Sequence, residues 1–194
     1  LDLQRLNVLA QDFILQTSGG GVEKMALPLS YSGFVRGEPE SRAVLTFSPV
    51  QCGGVIAVSG KTYNLGPEAL NKPDVAYLMA DAGAILDLPT FICHTKDDDI
   101  PTIPQQATAT GCKVVRVFLE CDNQLFKDNG SSAANTMNFI TTAMAPVIAL
   151  YMAEDLRLEV SEIFVWNTVD PFRNIASSRD VLDAYELANP LATR

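Results

Sequence analysis

The stretch from Val114 to Trp166 restricts the fold more than any other part of the chain, because it reads as strand, long helix, strand. Lys113–Glu120 is rich in β-branched and aromatic residues and suits a buried strand. Asp128-Asn129-Gly130-Ser131 supplies a turn, and the hydroxyl of Ser131 or Ser132 can cap the helix that follows. Apolar residues at 137, 140, 144, 147, 148 and 151 recur at helical spacing. They predict a helix to Met152 that buries that face and kinks at Pro146. Leu156–Trp166 predicts the next strand, and two parallel strands joined by a helix make a βαβ unit. A last helix starts near Ser178, where Ser177-Ser178-Arg179-Asp180 fits a hydroxyl-plus-acid cap, and turns Val181, Leu182, Tyr185 and Leu187 inward. Two parallel strands with two helices leave a sheet edge unpaired and a face half covered. The expectation is therefore of further polypeptide that completes them.

The first part of the chain has a different texture. Val8–Thr17 reads as a strand ended by Ser18-Gly19-Gly20-Gly21, followed by Phe34–Arg36, Ala43–Ser48, Val55–Val58 and Lys61–Leu65. Ser59-Gly60 between the last two is a hairpin turn. Alternation with glycine-rich turns predicts an antiparallel β module over residues 1–95. KDDDIPTIPQQATATG, residues 96–111, has no periodicity and reads as an exposed, protease-accessible linker. Residues 112–194 then carry the strand–helix alternation, so the fold class expected is α+β with an α/β second part.

Charge and cysteine content limit the alternatives. The 194 residues carry 23 acidic against 14 basic side chains, for a net charge of −9, without a Lys/Arg cluster. Nucleic acid and anionic membrane surfaces are not expected partners. No apolar run is long enough to span a bilayer uninterrupted; Met137–Met152 is broken by Asn138, Thr141, Thr142 and Pro146. The chain opens on Leu1 without a signal-like stretch, which reads as a mature or trimmed product. Cys112 and Cys121 flank one strand, where about nine extended residues span about 30 Å. A disulfide needs Cα atoms within about 7 Å, so those two cannot pair across it, while Cys52 with Cys93 stays open.

VVRVFLECDNQLFKDNGSS, LYMAEDLRLEVSEIFVWNTVDPF and SSRDVL, in that order, resemble the first third of the catalytic domain of reprolysin-type (adamalysin) zinc metalloendopeptidases, within the metzincins. Asp122 matches the family's V-x-x-D strand end, the EIFVW run to Trp166 its L-x-x-V-W strand, and Ser177-Ser178 with Leu182 its S-S-x-x-L helix start. Upstream, Y-x-G-x-V-x-G at Tyr31–Gly37 and G-x-I…Y-x-L at Gly54–Leu65 resemble the β-rich propeptide of such enzymes.

The resemblance implies a propeptide followed by the opening βαβα part of a zincin-like three-layer fold. It also implies secretion, zinc as cofactor, peptide substrates, and the remainder of the catalytic domain as partner. The family's zinc site, H-E-x-x-H-x-x-G-x-x-H, is not in this sequence, whose one histidine is His94. In that motif three imidazoles hold the zinc and a glutamate is the base for its bound water. No catalytic residue is therefore expected within these residues. The calcium-binding glutamate of venom-type relatives corresponds to Arg116, so calcium is not implied.

Cys93, in FICHTKDDD, resembles a propeptide cysteine whose thiolate occupies zinc's fourth position and keeps a zymogen silent. A buried free thiol and a Cys52–Cys93 bridge are the plain alternatives. His94 has no further ligands at zinc-site spacing, and Asp97-Asp98-Asp99 lacks the glycine and distal glutamate of a calcium loop. Glu120 and Asp122 fall on one face of a strand end, and Glu159 and Glu162 lie on the next strand; a structural role is expected for both pairs. Phe164 and Trp166 are expected in the core, with a cleft wall as the other option. A non-catalytic binding module on the same scaffold is the competing function, using the open edge for strand addition. Phosphate-loop and serine-hydrolase motifs are absent, and Gly19-Gly20-Gly21 lacks a strand–turn–helix frame.

Overall fold

The computed structural model of the chain describes residues 1–20, 25–49, 51–67, 76–80, 114–175 and 177–188. In chain order the elements are β1 (Asp2–Leu6), β2 (Leu9–Thr17), β3 (Leu29–Val35), β4 (Glu38–Phe47), β5 (Cys52–Val58), β6 (Lys61–Pro67), β7 (Ala76–Ala80), β8 (Val114–Cys121), α1 (Asn123–Asp128), α2 (Ala133–Ala153), β9 (Arg157–Val165) and α3 (Ser178–Ala188). The protein is α+β, with a six-stranded antiparallel sheet in the order β1-β3-β4-β5-β6-β7 and a three-stranded parallel sheet in the order β2-β9-β8. Cys93, His94, Asp97, Asp98, Asp99, Cys112 and the 96–111 stretch lie outside the described residues.

The antiparallel sheet follows from its turns. Val58 pairs with Lys61 across Ser59 (φ 51°) and Gly60 (φ 73°). Left-handed backbone at both central residues matches the twist of a two-residue hairpin. Gly54 permits a close backbone approach, since a Cβ there would lie 2.1 Å from the Val44 carbonyl oxygen.

One strand of the first half does not join that sheet. β2 pairs in parallel with β9, from Ile14↔Glu162 to Thr17↔Val165. The parallel sheet therefore draws strands from both sides of the 96–111 stretch, and β9 is its centre rather than an edge. The two-stranded sheet expected from sequence is corrected to three strands. Strand alternation identifies an extended segment but carries no label for its partner. Between Leu9↔Val160 and Ile14↔Glu162, β2 advances five residues while β9 advances two, so residues 10–13 form a bulge.

α2 contacts β9 and β2 of one sheet and β3, β4 and β5 of the other. Ser132 is its N-cap, accepting from Asn135 N at 3.3 Å, and the helix runs through Pro146 to Ala153. Its buried face differs from the expected one. Ala133, Thr136, Met137, Asn138, Thr141, Ala145 and Ile148 are buried, while Val147 and Tyr151 are exposed. The physical reason is that a helix against two sheets needs a broad face of small side chains. The hydroxyls of Thr136 and Thr141 cost little there because they donate to the carbonyls of Ser132 and Met137. By length and composition α2 could cross a bilayer. Its seat against both sheets accounts for the apolar residues on its buried face. The core gathers Leu6, Val8, Leu15 and Val44 with Met137, Ile148, Val160, Ile163 and Val165.

α3 belongs to a second compact unit with the residues after Asp170. Val181, Ala184 and Tyr185 are half-buried, and the Phe172 and Tyr185 rings stand 6.1 Å apart. Leu182 and Leu187 are 67% and 85% exposed, which corrects their expected inward placement. Helical geometry puts them on the flanks of the 181–184–185 stripe.

Candidate functional site

In parallel sheets, ligands and catalytic groups collect outside the carboxyl ends of the strands. Here that edge is formed by Thr17-Ser18-Gly19 at the end of β2, Val165–Thr168 at the end of β9 and Glu120–Asn123 at the end of β8. Ser18 Oγ donates to Asn167 Oδ1 at 2.8 Å and lies 2.8 Å from Thr168 Oγ1. Gly19 N also donates to Asn167 Oδ1 at 2.8 Å, and Thr168 N donates to Ser18 Oγ at 3.1 Å. A Cβ on Gly19 would stand 3.0 Å from Asn167 Nδ2, so glycine is what lets the amide come in.

Next to this clip, the β8 end is also closed by its own bonds. Asp122 Oδ1 accepts from Leu125 N at 2.7 Å and caps α1. Asn123 N donates to the buried Asp170 carboxylate at 3.1 Å, and Asn123 Nδ2 to the Trp166 carbonyl at 3.0 Å. Trp166 Nε1 donates to Glu120 Oε1 at 2.6 Å, and the Trp166 ring meets Phe164 edge-on at 5.3 Å. Glu120 and Asp122 are thus each committed to a structural bond, as expected. Phe164 and Trp166 are half-buried, not core residues. They belong to the strand face opposite the buried Leu158, Val160, Ile163 and Val165.

Cys121, at the end of β8, is 2% exposed, and its thiol is pushed up to about 12 by burial, reinforced by the Asp122 and Glu120 charges. It stays protonated at neutral pH, which makes it a poor nucleophile and a poor thiolate ligand. Cys52 carries a free, half-buried thiol. It lines a cleft of about 500 Å³ with Leu65, Leu125, Asn129, Phe139 and Thr142.

The opposite end of the parallel sheet is charged. Arg116 Nη2 bonds Asp12 Oδ1 at 2.8 Å and its Nη1 lies 3.8 Å from Glu159; Arg157 lies 3.6 Å from Glu159. These four side chains line an open cleft of about 870 Å³ with Asn7, Leu9, Gln11 and Val114. The Arg116 guanidinium holds the Asp12 carboxyl below the ordinary carboxylate range. Arg116 is an anchor for the β2 bulge.

No group of three or more His, Cys, Asp or Glu side chains among the described residues is placed to hold a metal ion. The described residues therefore do not fit a zinc site, and no chemical step is assigned to one. Ser18 is engaged with an amide and a hydroxyl, neither of which is a base. The polar groups at the carboxyl edge fasten strands to one another. Sequence reasoning missed Ser18, Asn167, Thr168 and the Asp12–Arg116 pair, because each partner lies more than a hundred residues away in the chain. Compared with known proteins, the chain matches no family model and no curated protein.

Proposed function

We propose that this chain is the pro-region and the opening part of the catalytic domain of a secreted, zinc-dependent metalloendopeptidase of reprolysin type. Its role is latency and support: the first half keeps the second folded and covered. The zinc-binding imidazoles and the peptide-cleaving chemistry would lie on polypeptide outside these residues, with the remainder of the catalytic domain as partner. The observation that carries the reading is the β8–α1–α2–β9 unit. Its two strands are adjacent and parallel, paired from Val114↔Arg157 to Cys121↔Val165 with a one-residue bulge at Ser161. The segments that resemble the family fall on its structural joints: Asp122 caps α1, and the EIFVW run fills the end of β9.

The test is to express the gene product with whatever sequence its reading frame adds, then measure bound zinc and hydrolysis of unfolded protein substrates. One zinc per chain with protease activity, and latency relieved by Cys93→Ser, is the expected result. A zinc-free, inactive full-length product overturns the reading.

A non-catalytic binding module is the second reading, and one observation favours it. β8 pairs among the described strands only with β9, and its Val114, Val115 and Phe118 are 45%, 43% and 40% exposed. An open apolar strand edge takes an added strand from a partner. The zinc measurement separates the two.

A further inference from the structure

The first half of the chain does more than precede the second, since it supplies one strand of the parallel sheet and part of its core. Ile14–Thr17 pair with Glu162–Val165, and backbone bonds extend the ladder at both ends, from Val160 N to the Val8 carbonyl at 2.8 Å and from Ser18 N to the Val165 carbonyl at 3.0 Å. Leu6, Val8, Leu15 and Val44 from the first half share one cluster with Met137, Ile148, Val160 and Ile163 from the second. Two polar fastenings flank the ladder. Arg116 on β8 reaches over β9 to Asp12 on the β2 bulge, and Asn167 after β9 holds Ser18 and Gly19 after β2.

We infer that the two halves stay together when the chain between them is cut: a nick within residues 96–111 leaves a tight two-fragment complex. β2 acts as a strap, and the Asn167 amide is the latch at its carboxyl end. Cutting the connection alone does not free the edge of β9 that β2 covers. Release requires β2 to peel from β9, and the bulge at residues 10–13 interrupts the ladder where that opening can run. This inference rests on strand pairing and core sharing, and it stands independently of the zinc-peptidase reading.

The experiment inserts a recognition site for a sequence-specific protease between Asp99 and Ile100 of the whole chain and carries cleavage to completion. An affinity tag sits on the carboxyl-terminal fragment. At micromolar concentration the expected result is one size-exclusion peak containing both fragments, and retention of the amino-terminal fragment on the affinity resin through washing. Asn167→Ala removes the acceptor of two hydrogen bonds and speeds dissociation of the nicked complex about tenfold. Arg36→Ala, which breaks an exposed pair with Asp2 in the other sheet, leaves that rate unchanged. Two separate peaks directly after cleavage overturn the inference. Equal dissociation rates for the Asn167 and Arg36 variants overturn the latch while leaving the strap. Either failure is distinct from a missing zinc or missing protease activity.

Discussion

Replacing Leu15 by alanine tests the placement of β2 most directly. Leu15 is 2% exposed and pairs with Ile163, itself fully buried in the core. The substitution removes three carbon atoms. At about 0.8 kcal/mol per buried carbon the transfer loss alone is about 2.4 kcal/mol. The remaining cavity adds to this, because β2 is fixed at both ends and the site cannot collapse freely, so about 3 to 4 kcal/mol is expected. Ile14, one residue earlier, is the internal control. It sits in the same ladder with 38% of its surface exposed on the opposite face, so Ile14→Ala is expected to cost under about 1 kcal/mol. Urea unfolding followed by tryptophan fluorescence reads both, since Trp166 immediately follows the strand that β2 pairs with. Similar losses for the two variants, or a Leu15→Ala loss below about 1 kcal/mol, would refute the parallel β2–β9 pairing.

Three further substitutions or titrations follow from particular contacts. A Cβ on Gly53 would lie 2.8 Å from Thr142 Cγ2, so Gly53→Ala is expected to cost about 1 to 3 kcal/mol by overpacking α2 against β5. Thr142→Ser removes that methyl and should recover most of the loss; strictly additive effects in a double-mutant cycle would contradict the contact. Asp12 is held by Arg116 below its ordinary value of 3.8, so the pair contributes stability that is complete above that value and fades as pH falls through the lower folded-state midpoint. An NMR titration of the Asp12 carboxyl with and without Arg116→Ala checks this, the midpoint rising towards 3.8 in the variant. Alkylation at pH 8 followed by peptide mapping should modify Cys52 and spare Cys121, whose thiol lies at about 12 because of burial, until the protein is unfolded. Modification of native Cys121 at the rate of a free thiol would count against its buried position.

Local features of the fold were legible in the sequence where a residue's chemistry acts on its own neighbours. Ser59-Gly60 specifies a hairpin through its own backbone, and Ser132 caps α2 through a bond to Asn135, three residues on. The parallel pairing of β8 with β9 was also readable, because a helix of that length leaves few other ways back to the sheet. Pairing between β2 and β9 was not readable. Among the described residues its two strands are separated by six other strands and two helices, and nothing in LAQDFILQT distinguishes a parallel partner from an antiparallel one. The buried face of α2 was misread for a different reason. Thr136, Asn138 and Thr141 count as polar in a periodicity search, yet two of them satisfy their hydroxyls within the helix and so behave as small core residues. β1 escaped because DLQRL alternates too weakly over five residues to stand out. At the candidate site, Glu120 and Asp122 were readable as carboxylates, but their bonds to Trp166 and Leu125 depend on how the strand ends fold over.

The central place of β9 bears on how such a chain can work. Val160, Ile163 and Val165 are fully buried, and β2 lies along one side of the strand that carries them. With β2 removed, β9 would become an open edge with unpaired backbone groups beside apolar side chains, the arrangement that promotes aggregation. The carboxyl-terminal half therefore depends on the amino-terminal half for solubility as well as for stability. Two halves joined only by the connecting chain would be parted by one cut. With β2 paired to β9, another strand must take its place there, or the sheet must rearrange. A cut between the halves is therefore followed by a slower strand departure, and that second step sets how long the paired state lasts.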